Sequence, residues 1–346
     1  MDRRAFLKSL AATTSTLMTA VQAGHSQPRQ DRWGTLLPTR RLGKTEEEVT
    51  MLALGGAHLS SFEEHAQELI ETAIEGGIRF FDTASHYGGG LSERLLGQHL
   101  VPQYREDVFL MSKAHLHSKA DVQAQLDLTL RQLNTDYLDL WLIHQVMDVD
   151  DVNLRLDQGV LEAFLEAKES GKARYIGFSG HRDPRAHQRM LERTRELEVC
   201  LMPISCADAS YGSFIQSVLP TLLQRDMGVL AMKTLAAGGF FGGDGWFRSG
   251  SEPKICPDLM PVQDAIDFAW SMPVSAIVSG ANNPTMLQEK IGFARSFQAM
   301  SEEKKEELID KVAHLTPEAG VEFYKDANLP EYFPPLSNSV GWNNLH

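Results

Sequence analysis

Short apolar runs alternate with amphipathic stretches along most of this chain of 346 residues. From about residue 50 onward, each run of branched aliphatic and aromatic residues is followed by a turn and then by apolar residues at helical spacing. Short runs of this composition are typical of buried strands, and the helical spacing is typical of amphipathic helices. Strands and helices that alternate in this way predict a parallel α/β fold.

Eight strand–helix units follow one another. The predicted strands are 51–55, 78–82, 108–112, 138–142, 174–178, 201–204, 228–232 and 275–278. The predicted helices are 63–76, 92–100, 120–133, 159–170, 184–196, 213–225, 262–271 and 284–295. Eight units over about 250 residues have the size of a (β/α)8 TIM barrel. An open doubly wound sheet is the alternative, but no GxGxxG motif follows the first predicted strand, which weakens a Rossmann interpretation.

Segments outside the eight units extend the predicted barrel. Residues 35–45 are expected to form a small hairpin across its bottom. Residues 236–261 form an unusually long loop after the seventh strand, and their glycines and aromatic residues are typical of a loop that covers a site. We therefore expect the barrel to span 35–300, with a C-terminal helix and tail over 301–346.

The first residues have the composition of an export signal. Arg3 and Arg4 precede a short, mildly apolar stretch that ends in small residues at Ala23. The paired arginines resemble the Tat signal of bacteria, an address that is read by a receptor. We expect 1–23 to be a Tat signal peptide and 24–34 a linker, and the stretch is too short and polar to span a bilayer. The resemblance implies that the protein folds in the cytoplasm and is then exported, to the periplasm or beyond, by the Tat machinery.

Charge and cysteine content exclude several classes of partner. The net charge of −13 makes nucleic acid and anionic membranes poor candidates for binding. The three cysteines, Cys200, Cys206 and Cys256, have no CxxC spacing. An odd count without that spacing argues against a disulfide framework or a zinc site, so we predict buried thiols and no metal.

Three predicted strands end on polar side chains that are suited to acid–base chemistry. Asp82, Lys113 and His144 end the second, third and fourth strands, and Tyr87 follows in the loop after the second. In a parallel barrel these positions lie at one face, where catalytic groups are found. A lysine cation beside a tyrosine favours the phenolate and lowers its pKa, and a buried lysine needs a counter-charge such as Asp82. His144 could then donate a hydrogen bond to a substrate carbonyl and orient it beside the Tyr87 hydroxyl. A proton donor next to a polarised carbonyl is the arrangement of general acid catalysis.

Each of these residues also has an ordinary structural interpretation. Asp82 is of a type that often caps a turn, and a lone Tyr or His in a loop is more often structural than catalytic. Lys113 at a strand end is also consistent with a solvated surface position or with a Schiff-base lysine. All four side chains at successive strand ends favour a common site.

The motifs around these residues resemble those of the aldo-keto reductase family. The segment 81–88, with Ser92-Glu93 and Leu96-Gly97 after it, is similar to the family signature, and Ser112-Lys113 and 142–144 are similar to its next motifs. The similarity extends from about residue 40 to about residue 295. It implies a (β/α)8 barrel that binds a nicotinamide nucleotide without a Rossmann domain. It also implies a catalytic tetrad of Asp82, Tyr87, Lys113 and His144, with Tyr87 as the acid.

The same resemblance implies a set of positions that bind the nucleotide. They are Ser179, Gly180, Met232, Lys233, Ser279, Gly280, Asn282, Asn283, Gln288 and Glu289. Gly180 stands where the family has an Asn, a change for which His181 is expected to compensate. Met232 replaces the Tyr that many members stack on nicotinamide, and a thioether also packs on a ring.

The phosphates are expected near Lys233 and at the N-terminus of the eighth helix. Gln288 and Glu289 resemble the pair that contacts adenine. Met286 stands where many members place an Arg for the 2′-phosphate, and no Arg or Lys lies between Ser279 and Glu289. NADP is the family's usual cofactor and is the expectation here, with NAD as the alternative.

These observations predict an oxidoreductase that reduces the carbonyl of a small aldehyde, ketone or sugar with NAD(P)H. A non-catalytic nicotinamide-binding sensor, or a subunit of a larger complex, on the same barrel is the main alternative. A Schiff-base lyase that uses Lys113 is another. The complete tetrad favours the reductase, because a sensor has less need of both Tyr87 and Lys113.

Overall fold

The computed structural model describes residues 29–242 and 254–328. Within these residues, eight parallel strands form a closed barrel in which each strand pairs with the next along the chain and the last pairs with the first. The strands are β1 Leu52–Gly55, β2 Phe80–Asp82, β3 Phe109–Ala114, β4 Leu138–Ile143, β5 Ala173–Ser179, β6 Val199–Pro203, β7 Gly228–Met232 and β8 Ala276–Ser279. The predicted (β/α)8 TIM barrel is confirmed, and the open doubly wound sheet is excluded.

One principal helix follows each strand and packs on the outside of the barrel. These helices are α1 Ala66–Glu75, α2 Leu91–His99, α3 Lys119–Leu133, α4 Val160–Glu169, α5 Pro184–Arg193, α6 Leu219–Gln224, α7 Val262–Trp270 and α8 Pro284–Ser296. Side chains cap several of them, as Ser118 does for α3 by accepting a hydrogen bond from the Asp121 amide. Most of the core lies between the strands and these helices.

The predicted helix 213–225 is two helices in the structure. Phe214–Ser217 ends before α6 begins at Leu219. Pro220 lies in the first turn of α6, where a missing amide hydrogen costs nothing, whereas in a continuous helix the proline would remove a bond.

A second, smaller core fills the inside of the barrel. Its buried members are Leu42, Val49, Ala53, Phe80, Phe109, Met111, Leu140, Leu142, Val199, Leu201, Leu230 and Ala276. A packed interior of this kind is expected for a barrel of eight strands. Polar groups at the carboxyl ends of the strands are therefore supported from below by a packed apolar layer.

A hairpin closes the bottom of the barrel, as predicted, although it lies somewhat further along the chain. Thr39–Arg41 pairs antiparallel with Glu48–Thr50. Gly43 in its turn has φ +53°, and a Cβ there would lie 2.2 Å from the backbone nitrogen of Gly228, at the start of β7. This close contact fixes the hairpin against the amino ends of the strands, opposite the predicted site.

One helix lies where the sequence indicated only a loop. Val149–Asp157 follows β4, and the Asp148 side chain caps it by accepting a hydrogen bond from the Asp151 amide. The Arg155 side chain bonds Asp151 with Nε and the carbonyl of His115 with Nη1, each within 2.9 Å. The helix is thereby attached to the loop after β3, beside the predicted tetrad.

The C-terminal part of the described chain packs back on the barrel. A helix, Glu302–Val312, is followed by a 3-10 segment, Pro317–Lys325. A Cβ at Gly239, in the 3-10 turn Ala236–Phe241 after β7, would lie 2.1 Å from the Val321 carbonyl oxygen. The backbone of the C-terminal segment at Val321 therefore packs directly against the backbone of the loop after β7 at Gly239.

Some predictions concern residues outside the described ranges. The signal peptide 1–23, residues 24–28 of the linker, Trp246 in the long loop and the end of the tail lie outside them. Among the helices of the described residues, none has both the length and the apolar character that crossing a membrane requires.

Candidate active site

Three neighbouring strands bring the predicted catalytic residues to one end of the barrel. Asp82 is the last residue of β2 and pairs in register with Met111 of β3. Lys113 lies two residues further along β3, so its side chain shares the inward face with Met111. His144 directly follows β4, and its amide donates a hydrogen bond of 2.7 Å to the Ala114 carbonyl. The four predicted residues therefore meet at the carboxyl ends of the strands.

The Lys113 ammonium is the centre of this group. It forms a buried ion pair with Asp82 and donates a hydrogen bond of 2.7 Å to the Thr83 carbonyl. It also lies 3.2 Å from the Tyr87 hydroxyl. Burial alone lowers the pKa of Lys113, but the charges and hydrogen bonds of Asp82 and Tyr87 outweigh it, and the net direction is upward. Lys113 is a fixed cation, which is unsuited to the neutral amine chemistry of a Schiff-base lyase.

Tyr87 differs from its prediction in the direction of its pKa. Burial raises the pKa of the phenol, and the Lys113 charge opposes this change without reversing it. The sequence indicated the effect of Lys113 but not the desolvation, which depends on the packing around the ring. The phenol is therefore protonated at neutral pH, as a proton donor must be.

His144 lies beside Tyr87 as a neutral imidazole. The two ring centroids are 5.9 Å apart and the rings are nearly perpendicular, at 81°. Burial, with smaller contributions from His86 and Lys113, places the pKa of His144 well below its ordinary value. Its Nδ1 has no hydrogen-bond partner among the described residues. A neutral imidazole offers one N–H donor, which suits the orientation of a carbonyl oxygen.

Two further histidines extend the site beyond the four predicted residues. The His86 ring stacks on His144 at 4.5 Å and meets the His115 ring edge-on at 5.2 Å. The Gln125 side-chain amide lies 3.1 Å from His115 Nδ1 and restricts the orientation of that ring. Burial lowers the pKa of His115 to about 4, so this group adds polar atoms without adding charge.

A buried carboxyl group lies directly behind Lys113. Glu93 Oε1 accepts hydrogen bonds of 2.6 Å from Ser112 Oγ and 3.0 Å from Thr129 Oγ1. Its Oε2 has no partner among the described residues, and burial raises the pKa of the group to about 7. Glu93 thus joins α2, β3 and α3 behind the site.

The predicted nucleotide positions on β5 form a polar cluster at the strand end. Ser179 is buried, and its Oγ lies 3.4 Å from both the Gln145 amide and the Ile143 carbonyl. His181 Nε2 lies 3.1 Å from the Gln145 side-chain amide, so a histidine and a glutamine occupy the region where an Asn was expected. A Cβ at Gly180 would lie 2.5 Å from the Val146 carbonyl oxygen, so that no side chain fits there.

Met232 ends β7 and Lys233 directly follows it, and both side chains are half-buried. Lys233 has φ +55°, a conformation that is uncommon outside glycine and is often found at functional sites. Its ammonium lies 5.2 Å from the centroid of the Tyr324 ring. Burial lowers the pKa of Lys233 to about 7, so the affinity of this group for an anion depends on pH near neutrality.

The segment after β8 is held by side chains from two other elements. His58 Nδ1 lies 2.6 Å from Asn282 Oδ1, and a Cβ at Gly280 would lie 2.2 Å from the His58 ring. Asn283 caps α8 by accepting a 2.9 Å hydrogen bond from the Met286 amide. The Lys290 ammonium, on α8, donates a hydrogen bond of 3.0 Å to Ser279 Oγ.

The remaining predicted nucleotide contacts lie on the outside of α8. Gln288 and Glu289 are exposed, whereas Lys290 beside them is buried and bonds the Gly280 carbonyl at 2.5 Å. His58, Lys290 and Tyr324 were not among the predicted site residues. Each reaches the site from a loop, an outer helix or the C-terminal segment, where no strand-end pattern marks it.

Comparison with known proteins identifies the family. The model of the aldo/keto reductase family matches residues 51–252. The chain belongs to this family. The match covers the strands β2, β3 and β4, which carry the predicted tetrad, and also β5 and β7. Family membership makes the protein an NAD(P)-dependent oxidoreductase that reduces carbonyl groups, and nothing in the comparisons supports the non-catalytic alternative.

Two known proteins are similar to this aldo/keto reductase over most of its length. It is 25% identical to the uncharacterized oxidoreductase YqkF of Bacillus subtilis over 299 residues, which are 77% of this chain and 94% of the relative. It is 25% identical to L-galactose dehydrogenase of Arabidopsis thaliana over 323 residues, which are 83% of this chain and 99% of that protein.

A solved structure has the same fold. The holo form of aldo-keto reductase AKR11C1 from Bacillus halodurans superposes with a TM-score of 0.67 at 23% identity, over 80% of this chain and 96% of that one. This similarity supports the barrel and its topology.

Proposed function

We propose that this aldo/keto reductase reduces the carbonyl of a small hydroxylated aldehyde, ketone or sugar, and that Tyr87 supplies the proton. The observation that carries the proposal is the 3.2 Å contact between the Tyr87 hydroxyl and the Lys113 ammonium. A protonated phenol beside a fixed cation donates its proton readily, because the cation stabilises the phenolate that remains.

Each residue of the tetrad has a part in this step. The reduced nicotinamide, when bound, supplies the hydride for the carbonyl carbon. Tyr87 transfers its hydroxyl proton to the carbonyl oxygen, on which negative charge develops. Lys113 stabilises the tyrosinate, and Asp82 keeps Lys113 charged in its buried position. His144 orients the carbonyl oxygen with the N–H of its neutral ring.

The residues at the strand ends fit a nicotinamide nucleotide. Gly180 and Gly280 lie where a Cβ would collide with neighbouring protein atoms, so no larger residue fits at either predicted nucleotide position. Ser179, with Gln145 and His181 beside it, would hold the carboxamide. Lys233 and the segment after β8 would hold the phosphates.

We propose NADP as the preferred nucleotide, with NAD as its competitor. The usual preference of the family supports NADP, whereas Met286 supports NAD because an Arg at that position would pair with a 2′-phosphate. Lys290 does not replace that Arg, since its ammonium is buried against Ser279 and Gly280. Fluorescence titration with NADPH and NADH tests the choice, and equal or tighter NADH binding contradicts the proposal.

The polar lining of the site supports a hydroxylated substrate. His86 and His115 add neutral imidazoles next to Tyr87 and His144, where hydroxyl groups would find hydrogen-bond partners. Two similar proteins are named L-galactose dehydrogenase and, in Escherichia coli, L-glyceraldehyde 3-phosphate reductase. A reductase screen with sugars, hydroxyaldehydes and matched simple aldehydes tests this. Equal kcat/KM values for hydroxylated and simple carbonyls would contradict it.

We also propose that the protein is exported in the folded state by the Tat machinery. Arg3 and Arg4 support this proposal. Cell fractionation of the wild-type protein and of the Arg3→Lys/Arg4→Lys double variant tests it in a bacterium with a Tat system. We expect the wild-type protein in the exported fraction and the variant in the cytoplasm. The same distribution for both would contradict the proposal.

A further inference from the structure

A buried ionic cluster joins the C-terminal segment to the barrel. The Lys325 ammonium lies 2.7 Å from Asp208 Oδ1 and 2.6 Å from Glu322 Oε2. The side chains of all three residues are at most 1% exposed. Charged groups are rarely buried to this extent unless they are paired, and losing one partner is costly. The cluster therefore holds Pro317–Lys325 in one defined position on the barrel.

The cluster is also well satisfied by hydrogen bonds. Asp208 accepts bonds from the backbone amides of Phe214 at 3.1 Å and Ile215 at 2.9 Å. Glu322 Oε1 accepts bonds from Ser205 Oγ at 3.1 Å and from the Tyr324 hydroxyl at 2.8 Å. Each carboxylate therefore has partners beyond the shared lysine, and the C-terminal segment is fixed on the loop after β6.

Tyr324 carries this attachment to the nucleotide site. Its hydroxyl is held by Glu322, and its ring is fully buried. The Lys233 ammonium lies over that ring, 5.2 Å from the centroid, and the His181 ring meets it edge-on at 5.7 Å. One side chain of the C-terminal segment thus contacts predicted nucleotide residues at the ends of both β7 and β5.

The lysine gains most from such a contact. A lysine ammonium on its long flexible stem loses considerable conformational freedom when it binds an anion. A cation that already rests on an aromatic ring has lost part of that freedom, and the ring attracts the charge without neutralising it. Preorganisation of this kind increases affinity, mostly by slowing dissociation.

We propose that Tyr324 is a positioning residue of the nucleotide site, which holds Lys233 and His181 in place and is itself fixed by the Lys325–Asp208–Glu322 cluster. The inference rests on the proposed function, because it assigns Lys233 to the phosphates of the nucleotide. The C-terminal segment Pro317–Lys325 thereby contributes a positioning residue to the cofactor site.

The test compares two variants of Tyr324 by direct nucleotide binding. Tyr324→Leu removes the ring. We expect the Kd for NADPH and NADH to rise about tenfold, because the variant loses one cation–π contact and the ordering of Lys233 that this contact provides. Tyr324→Phe keeps the ring and loses the bond to Glu322, so its Kd is expected to rise less, by about threefold. Circular dichroism confirms that both variants are folded.

A double-mutant cycle separates positioning from general structure. If Tyr324 acts through Lys233, Tyr324→Leu has little further effect on the Kd in a Lys233→Met background. Additive effects of the two substitutions would overturn the inference, and so would an unchanged Kd in Tyr324→Leu. In the kinetics, KM for the nucleotide is expected to rise more than kcat falls.

A second variant serves if Tyr324→Leu does not fold. The double variant Lys325→Met/Glu322→Gln loosens the attachment and removes one carboxylate together with the ammonium, so the net charge of the cluster is unchanged. We expect faster nucleotide release by stopped-flow fluorescence, and a release rate equal to that of wild type would overturn the inference. Failure of the proposed function is recognised separately, because the wild-type protein would then bind neither nucleotide.

Discussion

The Lys113 ammonium lies 3.2 Å from the Tyr87 hydroxyl, although the two residues belong to different strand–loop units of the barrel. Burial raises the pKa of Tyr87 and keeps the phenol protonated, and in the proposed reaction the Lys113 charge would stabilise the tyrosinate that remains after proton transfer. The contact thus places the protonated Tyr87 phenol next to a cation, Lys113, that would favour loss of the phenolic proton during the proposed reaction.

Replacing Tyr87 by Phe removes the proton donor and keeps the ring. We expect a fall in kcat of at least about a hundredfold, the usual contribution of a general acid, while the Kd for the nucleotide stays close to that of wild type. Steady-state kinetics and fluorescence titration measure the two quantities. Carbonyl reduction by Tyr87→Phe at the wild-type rate would show that another group donates the proton.

The Lys113–Asp82 pair is expected to show strong coupling in stability. Lys113→Met leaves the Asp82 carboxylate buried without a counter-charge, which costs about 3–5 kcal/mol in the free energy of unfolding. The double variant Lys113→Met/Asp82→Asn removes both charges and should recover most of that loss, although neither variant should be active. Urea denaturation measures the difference. Equal midpoints for the single and double variants would contradict a buried charge pair.

Glu93 is expected to make stability depend on pH. Burial raises its folded pKa from 4.5 to about 7, so the folded protein holds this proton more tightly than the unfolded chain does. The resulting stabilisation is complete below pH 4.5 and is lost as the pH rises to about 7, by about 3 kcal/mol for this group alone.

Glu93→Gln isolates that contribution. Glutamine is similar to the protonated acid, so the variant should match the wild type near pH 4.5 and become relatively more stable as the pH approaches 8. Urea denaturation across this range measures the difference, with Glu68→Gln on the exposed face of α1 as the control. A difference between Glu93→Gln and wild type that does not change with pH would contradict the assignment.

Gly280 and His58 form a close pair beside the nucleotide positions. In Gly280→Ala the new methyl group would lie 2.2 Å from the His58 ring, which must then move away from Asn282. We expect weaker nucleotide binding, and partial recovery in Gly280→Ala/His58→Ala, where the space is available. Titration of both variants and of His58→Ala measures this. Tighter binding by Gly280→Ala alone would contradict the steric explanation.

The fold was predictable because its signal is local and repeated. The run Gly228–Met232 was predicted with the boundaries that it has in the structure, and the other strands lie within a few residues of their predictions. The helix Val149–Asp157 was missed because the prediction placed no element between the strand 138–142 and the helix 159–170. Its start depends on the Asp148 cap, a short-range feature that periodicity does not reveal.

The proximity of the predicted catalytic residues could be predicted for a topological reason. Parallel strands end at a common edge, so Asp82, Lys113 and His144 were expected together once the strands were identified. The direction of the Tyr87 pKa was not predictable, since it depends on how much water the folded barrel removes from the phenol.

The sequence by itself determined the eightfold strand–helix alternation and the positions of the four predicted catalytic residues at and after the strand ends, because these follow from residue order and spacing. Only the tertiary structure decided that Tyr324 lies against Lys233 and His181, and that His58 packs on Gly280. These contacts join residues that are far apart along the chain. Their distances depend on the closure of the whole barrel and on the buried charges of Lys325, Asp208 and Glu322, which no local pattern encodes.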